Sequence, residues 1–264
     1  MKFLRGNITS CKFYMHKKMH IDQCTALPAA LCHTSASVFH RLRNMQSLLS
    51  LWQPRLLALA TAGLGDDSAH DIQHLHRVWR NASILLEQHP EADALVVMAA
   101  SYLHDLVNLP KNHPERHLAS RQAAALACRQ LAEQDFPSDK LAGVGHAIET
   151  HSFSADLTPN TIEARIVQDA DRIDALGAVG LARLFYTAAR MDSALAHGAD
   201  PLAQQRPLND KAYALDHIET KLAKLPGKMQ TQAGRVLAER RLAVLVDFRA
   251  TFADEWTIAP APAA

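Results

Sequence analysis

Ala99-Ala100-Ser101-Tyr102-Leu103-His104-Asp105-Leu106 places a histidine and an aspartate directly after a strongly apolar run. Burying an unpaired carboxylate is costly, so Asp105 needs a cation or several hydrogen-bond donors. Adjacent residues on a helix point about 100° apart, so both side chains can reach one ion lying over the helix edge. The ordinary alternative is a helix C-terminus at which His104 and Asp105 meet water. Taken alone, the pair favours that alternative, and its surroundings must decide.

Working outward, alanine and leucine dominate, glycine is scarce (10 in 264 residues), and few Val/Ile/Thr runs have strand length. That composition favours helices, and an all-α fold is expected. From Met45 on, helices follow one another with short breaks. A first spans 46–62, bent at Pro54, and a second is capped by Asp67 or Ser68, with Ile72, Leu75, Val78, Ala82 and Leu85 at helical spacing. A third spans Glu91 to about Leu106, a fourth Glu115 to Gln134, and a fifth is capped by Ser138 and runs to His151. Thr158-Pro159 opens a stretch that stays helical to about His197, and two last helices cover about 209–225 and 231–256.

The longest uncharged apolar runs fall short of the roughly 18 residues that span a bilayer. The formal charge of +1 suggests neither a nucleic-acid binder nor a membrane-surface protein. Residues 1–44 nevertheless hold seven Lys/Arg against one acid, so the other 220 residues carry a net −5. Cys11, Cys24 and Cys32 also lie in that segment, and only Cys128 lies beyond it. The main body therefore has no pair for a disulfide, which suits a reducing cytoplasm. A basic targeting peptide and an unstructured extension both fit residues 1–44, and a metal-binding Cys/His arm is a third reading although the spacing matches no zinc pattern. The unstructured extension is preferred, followed by one helical domain over 45–258 and a loose tail at 259–264.

Two further segments supply context for His104-Asp105. His74 sits at the edge of the second helix's apolar face, where packing on the third helix would turn it toward His104. Gln168-Asp169-Ala170-Asp171-Arg172-Ile173-Asp174-Ala175 places three acids in an apolar helix, with Asp171 and Asp174 on one face. A boundary histidine and a solvated acidic face are the ordinary readings of each alone.

Together these residues resemble the HD superfamily of metal-dependent phosphohydrolases, whose pattern is a His, then His-Asp, then a distant Asp. The likeness extends to His74-x-x-Arg77-Val78, to Pro110-Lys111-Asn112-x-Pro114-x-Arg116-x-x-Ala119-Ser120, and to His151-Ser152-Phe153-Ser154. It continues through Asp169–Gly177 and Lys221-Leu222-x-x-Leu225-Pro226-x-x-Met229-x-Thr231, and covers about 46–256. Small stand-alone bacterial members are the nearest in pattern, although Tyr186–Leu202 departs from their Gly-rich loop.

The resemblance implies an all-α HD-domain helical bundle that hydrolyses phosphate esters or anhydrides by attack of a metal-bound water. Nucleotides are the expected substrates, through phosphatase or triphosphate pyrophosphohydrolase action. His74, His104, Asp105 and Asp171 are the implied ligands, with Asp169 the alternative to Asp171. Two imidazoles and two carboxylates suit one octahedral divalent ion, Mn, Ni, Co or Fe, with Mg admitted, better than a closed structural zinc. Arg77, Lys111, Asn112, Arg116 and Arg172 are the candidates for holding phosphate oxygens, and Asp105 or His151 for taking the proton. His151 alternatively binds a second metal or is a core histidine. Two rival functions are a di-iron HD oxygenase and a non-catalytic nucleotide-binding regulatory module.

Overall fold

The computed structural model describes residues 29–63, 71–107, 109, 113–152 and 155–256. The chain divides into two compact units, 1–44 and 45–264. Nine α-helices occur among the described residues, with no β-strand beyond one isolated bridge between Ala194 and Tyr213. They are α1 (Ala29–Gly63), α2 (Ile72–Leu86), α3 (Ala94–Leu103), α4 (Ala119–Glu133) and α5 (Ser138–His151). After these come α6 (Ile162–Asp174), α7 (Gly177–Arg190), α8 (Asp216–Thr220) and α9 (Gln232–Trp256). The all-α expectation therefore holds. No helix among the described residues is long and apolar enough to cross a membrane.

Helix α3 is the axis of the larger unit. All ten of its residues are buried, and it packs against α2, α4, α5 and α6. A helix that is apolar all round must be surrounded. Its start is fixed by Asp93, whose carboxylate accepts from the N–H groups of Leu95 and Val96 and pairs with Lys140. Helix α2 starts at Asp71, which accepts from the His74 N–H at 2.9 Å, and lays Leu75, Val78, Ala82 and Leu85 into the core. The C-terminal half of α1 adds Trp52, Leu56 and Ala60, a stripe of four-residue spacing that continues through Pro54.

Several boundaries differ from the sequence expectation. Helix α1 begins at Ala29, so residues 29–44 are helical rather than unstructured, while 1–28 and the tail at 259–264 lie outside the described residues. An Ala/Ser-containing segment without internal glycine or proline offers no local reason to stop a helix there. The cap of α2 is Asp71 rather than Asp67 or Ser68, and α3 is capped by Asp93 and begins at Ala94 rather than at Glu91. The long helix expected from Thr158 to His197 is two helices. The chain turns at Ala175–Leu176, and Gly177 has φ +76°, a left-handed conformation that glycine adopts without strain. Gly180 permits the tight return: a Cβ there would lie 2.3 Å from the Ala175 carbonyl.

Helix α9 closes the bundle against α6 and α7. Phe185 of α7 meets Phe248 and Phe252 of α9, and Trp256 stacks on Phe252. At the other end, Asp169 of α6 accepts from the Gln230 N–H, the Thr231 N–H and the Thr231 hydroxyl, all at 2.8 Å. A Cβ at Gly234 would sit 2.4 Å from the Asp169 carboxylate and 2.8 Å from Thr231 Oγ1, inside this buried clamp. Gly234→Ala is therefore expected to destabilise the protein by about 1–3 kcal/mol. Gly227→Ala, at a position with nothing within 4 Å, should melt close to wild type. Thermal denaturation of the two variants checks this.

Candidate active site

The ends of three helices meet over one point. His74 comes from the first turn of α2, His104 follows the last residue of α3 with Asp105 next to it, and His151 is the last residue of α5. Asp171 reaches in from α6. His74 Nε2 lies 3.3 Å from His104 Nε2, 3.6 Å from Asp105 Oδ2 and 3.5 Å from Asp171 Oδ1. His104 Nε2 lies 3.5 Å from Asp105 Oδ2 and 3.8 Å from Asp171 Oδ1.

The hydrogen bonds at the far side of each ring assign the protons. His104 Nδ1 donates to the Ser101 carbonyl at 2.9 Å, because a carbonyl can only accept. His74 Nδ1 lies 2.8 Å from Asp174 Oδ2. Burial alone would raise the Asp174 carboxyl. Hydrogen bonds from His74 and Arg77, with the Arg183 charge, outweigh it and hold the group well below the usual carboxylate range. Asp174 is thus ionised and His74 Nδ1 is the donor. Burial also lowers the His74 pKa against the pull of Asp174, so with Nδ1 as donor Nε2 is the ring's acceptor.

His74 Nε2, His104 Nε2 and carboxylate oxygens of Asp105 and Asp171 therefore converge. They repel one another unless a cation lies between them. His74, His104 and Asp105 present ligand atoms within 4.8 Å of one another, and Asp171 Oδ1 stands next to both imidazoles. Two imidazole nitrogens with hard oxygens form a donor set suited to a divalent transition ion. The partner of His74 Nδ1–H, a buried carboxylate that accepts, is the usual means of fixing a ligating imidazole's tautomer.

Asp169, the alternative ligand, faces away, with both oxygens engaged at residues 230–231. Burial raises its pKa against those bonds. His151 Nδ1 donates to the Ile148 carbonyl at 2.6 Å, and its Nε2 lies 3.9 Å from Asp105 Oδ1. Burial, then the neighbouring His104, lowers its pKa, so its Nε2 is also a free acceptor facing the centre.

A pocket of about 540 Å³ opens from Asp105 and Asp171. Arg116, Arg172, Arg183 and Lys221 line it, with Leu184, Ala188 and Leu222 among its apolar contacts. Arg116 donates to the Leu109 carbonyl, and Arg172 Nη1 to the Lys228 carbonyl at 2.8 Å. Burial lowers the pKa of Lys221. Arg77, a candidate for holding phosphate oxygens, is engaged by a carboxylate. Its Nε and Nη2 fork onto Asp174 at 2.8 and 3.1 Å, and it is not among the pocket-lining residues. Its charge is spent on holding a buried carboxylate. Lys111 and Asn112 lie outside the described residues. Sequence reasoning gave Asp174 and Arg183 no site role. The three-residue spacing of Asp171 and Asp174 could have signalled the first, whereas nothing in the spacing points to the second.

Residues 71–176 match the HD-domain family, a span that contains His74, His104, Asp105 and Asp171. The protein YpgQ of Bacillus subtilis (strain 168) is 32% identical over 187 residues, which are 69% of this chain and 82% of the relative. A crystal structure of Bacillus subtilis YpgQ in complex with ADP aligns with a TM-score of 0.57 at 28% identity, covering 75% of this chain and 96% of that one. An HD-superfamily hydrolase from Bacillus thuringiensis aligns with a TM-score of 0.60 at 27% identity, covering 80% and 98%.

Three substitutions follow from the geometry. Asp171→Asn should lose bound divalent metal, whereas Asp169→Asn should keep it while melting at lower temperature. Asp174→Asn should weaken metal binding by about 10- to 100-fold, because Asn can present its amide to His74 and release the tautomer. Elemental analysis and competition with a metal indicator measure metal binding in all three, and thermal denaturation measures the melting of Asp169→Asn.

Proposed function

We propose that this chain, which belongs to the HD-domain superfamily of hydrolases, is a metal-dependent phosphohydrolase acting on nucleotides. The observation that carries the reading is the convergence of two imidazole nitrogens and two carboxylates at the mouth of a cation-lined pocket. His74, His104, Asp105 and Asp171 would hold one divalent ion. Such an ion polarises a phosphoryl oxygen and acidifies water near neutral pH.

The chain's own residues supply the rest. Arg116, Arg172 and Lys221 offset the negative charge of the phosphoryl chain, and forked guanidinium groups suit its paired oxygens. Asp105 or His151 Nε2 takes the proton from the attacking water, since His151 is neutral and its free nitrogen faces Asp105. The apolar part of the pocket accommodates a base or sugar face. The ADP carried by the YpgQ crystal structure supports a nucleotide as the ligand class.

The test is a screen of purified protein against nucleoside mono-, di- and triphosphates with Mn²⁺, Co²⁺, Ni²⁺, Fe²⁺ and Mg²⁺, following phosphate and pyrophosphate. Metal-dependent release is expected. His104→Ala and Asp105→Ala should each lower kcat/KM by about a thousandfold or more, with helical content retained. Two tightly held irons per chain with O₂ consumption, or no hydrolysis with any pairing, would overturn the reading.

A further inference from the structure

Asp174 is about 1% exposed and receives more positive charge than it can neutralise. Arg77 alone satisfies it with a two-pronged fork, and His74 adds a neutral donor. Arg183 Nη1 adds a third contact, at 2.6 Å. One guanidinium balances one carboxylate, so the group carries a surplus positive charge. Arg183 is the member that lines the pocket alongside Asp105 and Asp171, and Arg77 is not. Arg183 spends one of its five N–H donors on Asp174, and its buried Nε has no partner. The side chain is nevertheless 21% exposed and lines the pocket, which leaves its other Nη donors for a ligand acceptor.

We infer that Arg183 is the substrate's phosphate clamp: its open guanidinium edge binds non-bridging oxygens of the phosphoryl chain, with Asp174 holding it in place. This deepens the phosphohydrolase reading and rests on it. Asp174 thereby positions two things at once, the imidazole of His74 and the guanidinium that meets the anion. The assignment moves to α7 the anion-binding role that sequence reasoning gave Arg77. Arg183 and Arg77 share the same carboxylate, so comparing them separates substrate binding from support of Asp174.

The experiment uses the full chain loaded with Mn²⁺ and three substitutions, Arg183→Gln, Arg183→Lys and Arg77→Gln. Calorimetry with inorganic pyrophosphate measures anion affinity, elemental analysis measures metal, and steady-state kinetics use the best nucleotide found. Arg183→Gln should keep its metal and lose pyrophosphate affinity by about ten- to a hundredfold, with KM rising more than kcat falls. Arg183→Lys should recover part of that loss. Arg77→Gln should weaken metal binding and leave the pyrophosphate affinity of the metal-loaded protein within a few-fold of wild type. Equal loss of metal in Arg183→Gln and Arg77→Gln, or wild-type pyrophosphate affinity in Arg183→Gln, overturns the inference and leaves the phosphohydrolase reading standing. Absence of both pyrophosphate binding and nucleotide hydrolysis in the wild type overturns that reading, and this inference with it.

Discussion

A carboxylate at about 1% exposure is the constraint around which the active end of the bundle is arranged. Asp174 would be intolerable in an apolar interior without full compensation, since an isolated buried charge costs several kcal/mol. Its partners come from two other elements, His74 and Arg77 from α2 and Arg183 from α7. Each is drawn in by the same demand. The α2–α6 packing and the tight α6–α7 reversal are thus linked electrostatically as well as through apolar contact. The orientation of His74 is a by-product of satisfying Asp174: once Nδ1 is committed there, Nε2 has to face His104, Asp105 and Asp171.

The remainder of the site divides along the chain. The residues that surround the convergence point lie within 71–176, the part that matches the HD-domain family. Much of the pocket wall comes from later segments, with Arg183 and Leu184 on α7 and Lys221 and Leu222 after α8. Ligand geometry demands short distances from rigid helix ends, and the helices around α3 supply them. Pocket walls tolerate more variation, and the segment from 191 to 225 is built of turns, short helical pieces and one isolated bridge. It is held by its own pairs, such as the Arg206 fork on Asp216 at 2.6 and 2.8 Å.

Legibility in the sequence followed the same division. His104-Asp105 stood out because it follows a largely apolar run of ten residues that the fold buries without exception. His74 stood out by its place on the edge of a 3.6-residue stripe. The bounds of α5 were legible for similar reasons. Helix starts were harder, because several acids or hydroxyls compete as caps and only tertiary packing chooses among them. Arg183 could not be found. In the continuous helix expected through this region it would stand nine residues past Asp174, half a turn round and about 13 Å further on. Only the reversal at Ala175–Leu176 brings it back. Arg77 was hidden in the opposite way: one turn from His74 it looked free for phosphate, and the buried carboxylate onto which it forks is 97 residues away.

Helix α6 shows how three acids in six residues take three different tasks. Asp169 and Asp171 are separated by about 200° around the helix, so both cannot face one ion. Asp171 and Asp174 are separated by about 60°, so both face α2, the first near its end and the second one turn deeper. Asp169 therefore anchors the start of α9 through residues 230–231, while Asp171 meets the two imidazoles and Asp174 orients one of them. A single straight helix, gripped at opposite faces by α9 and by α2, fixes the direction of Asp171 more firmly than a loop could. The acid that faces the imidazoles owes its position to the acid that turns its back on them.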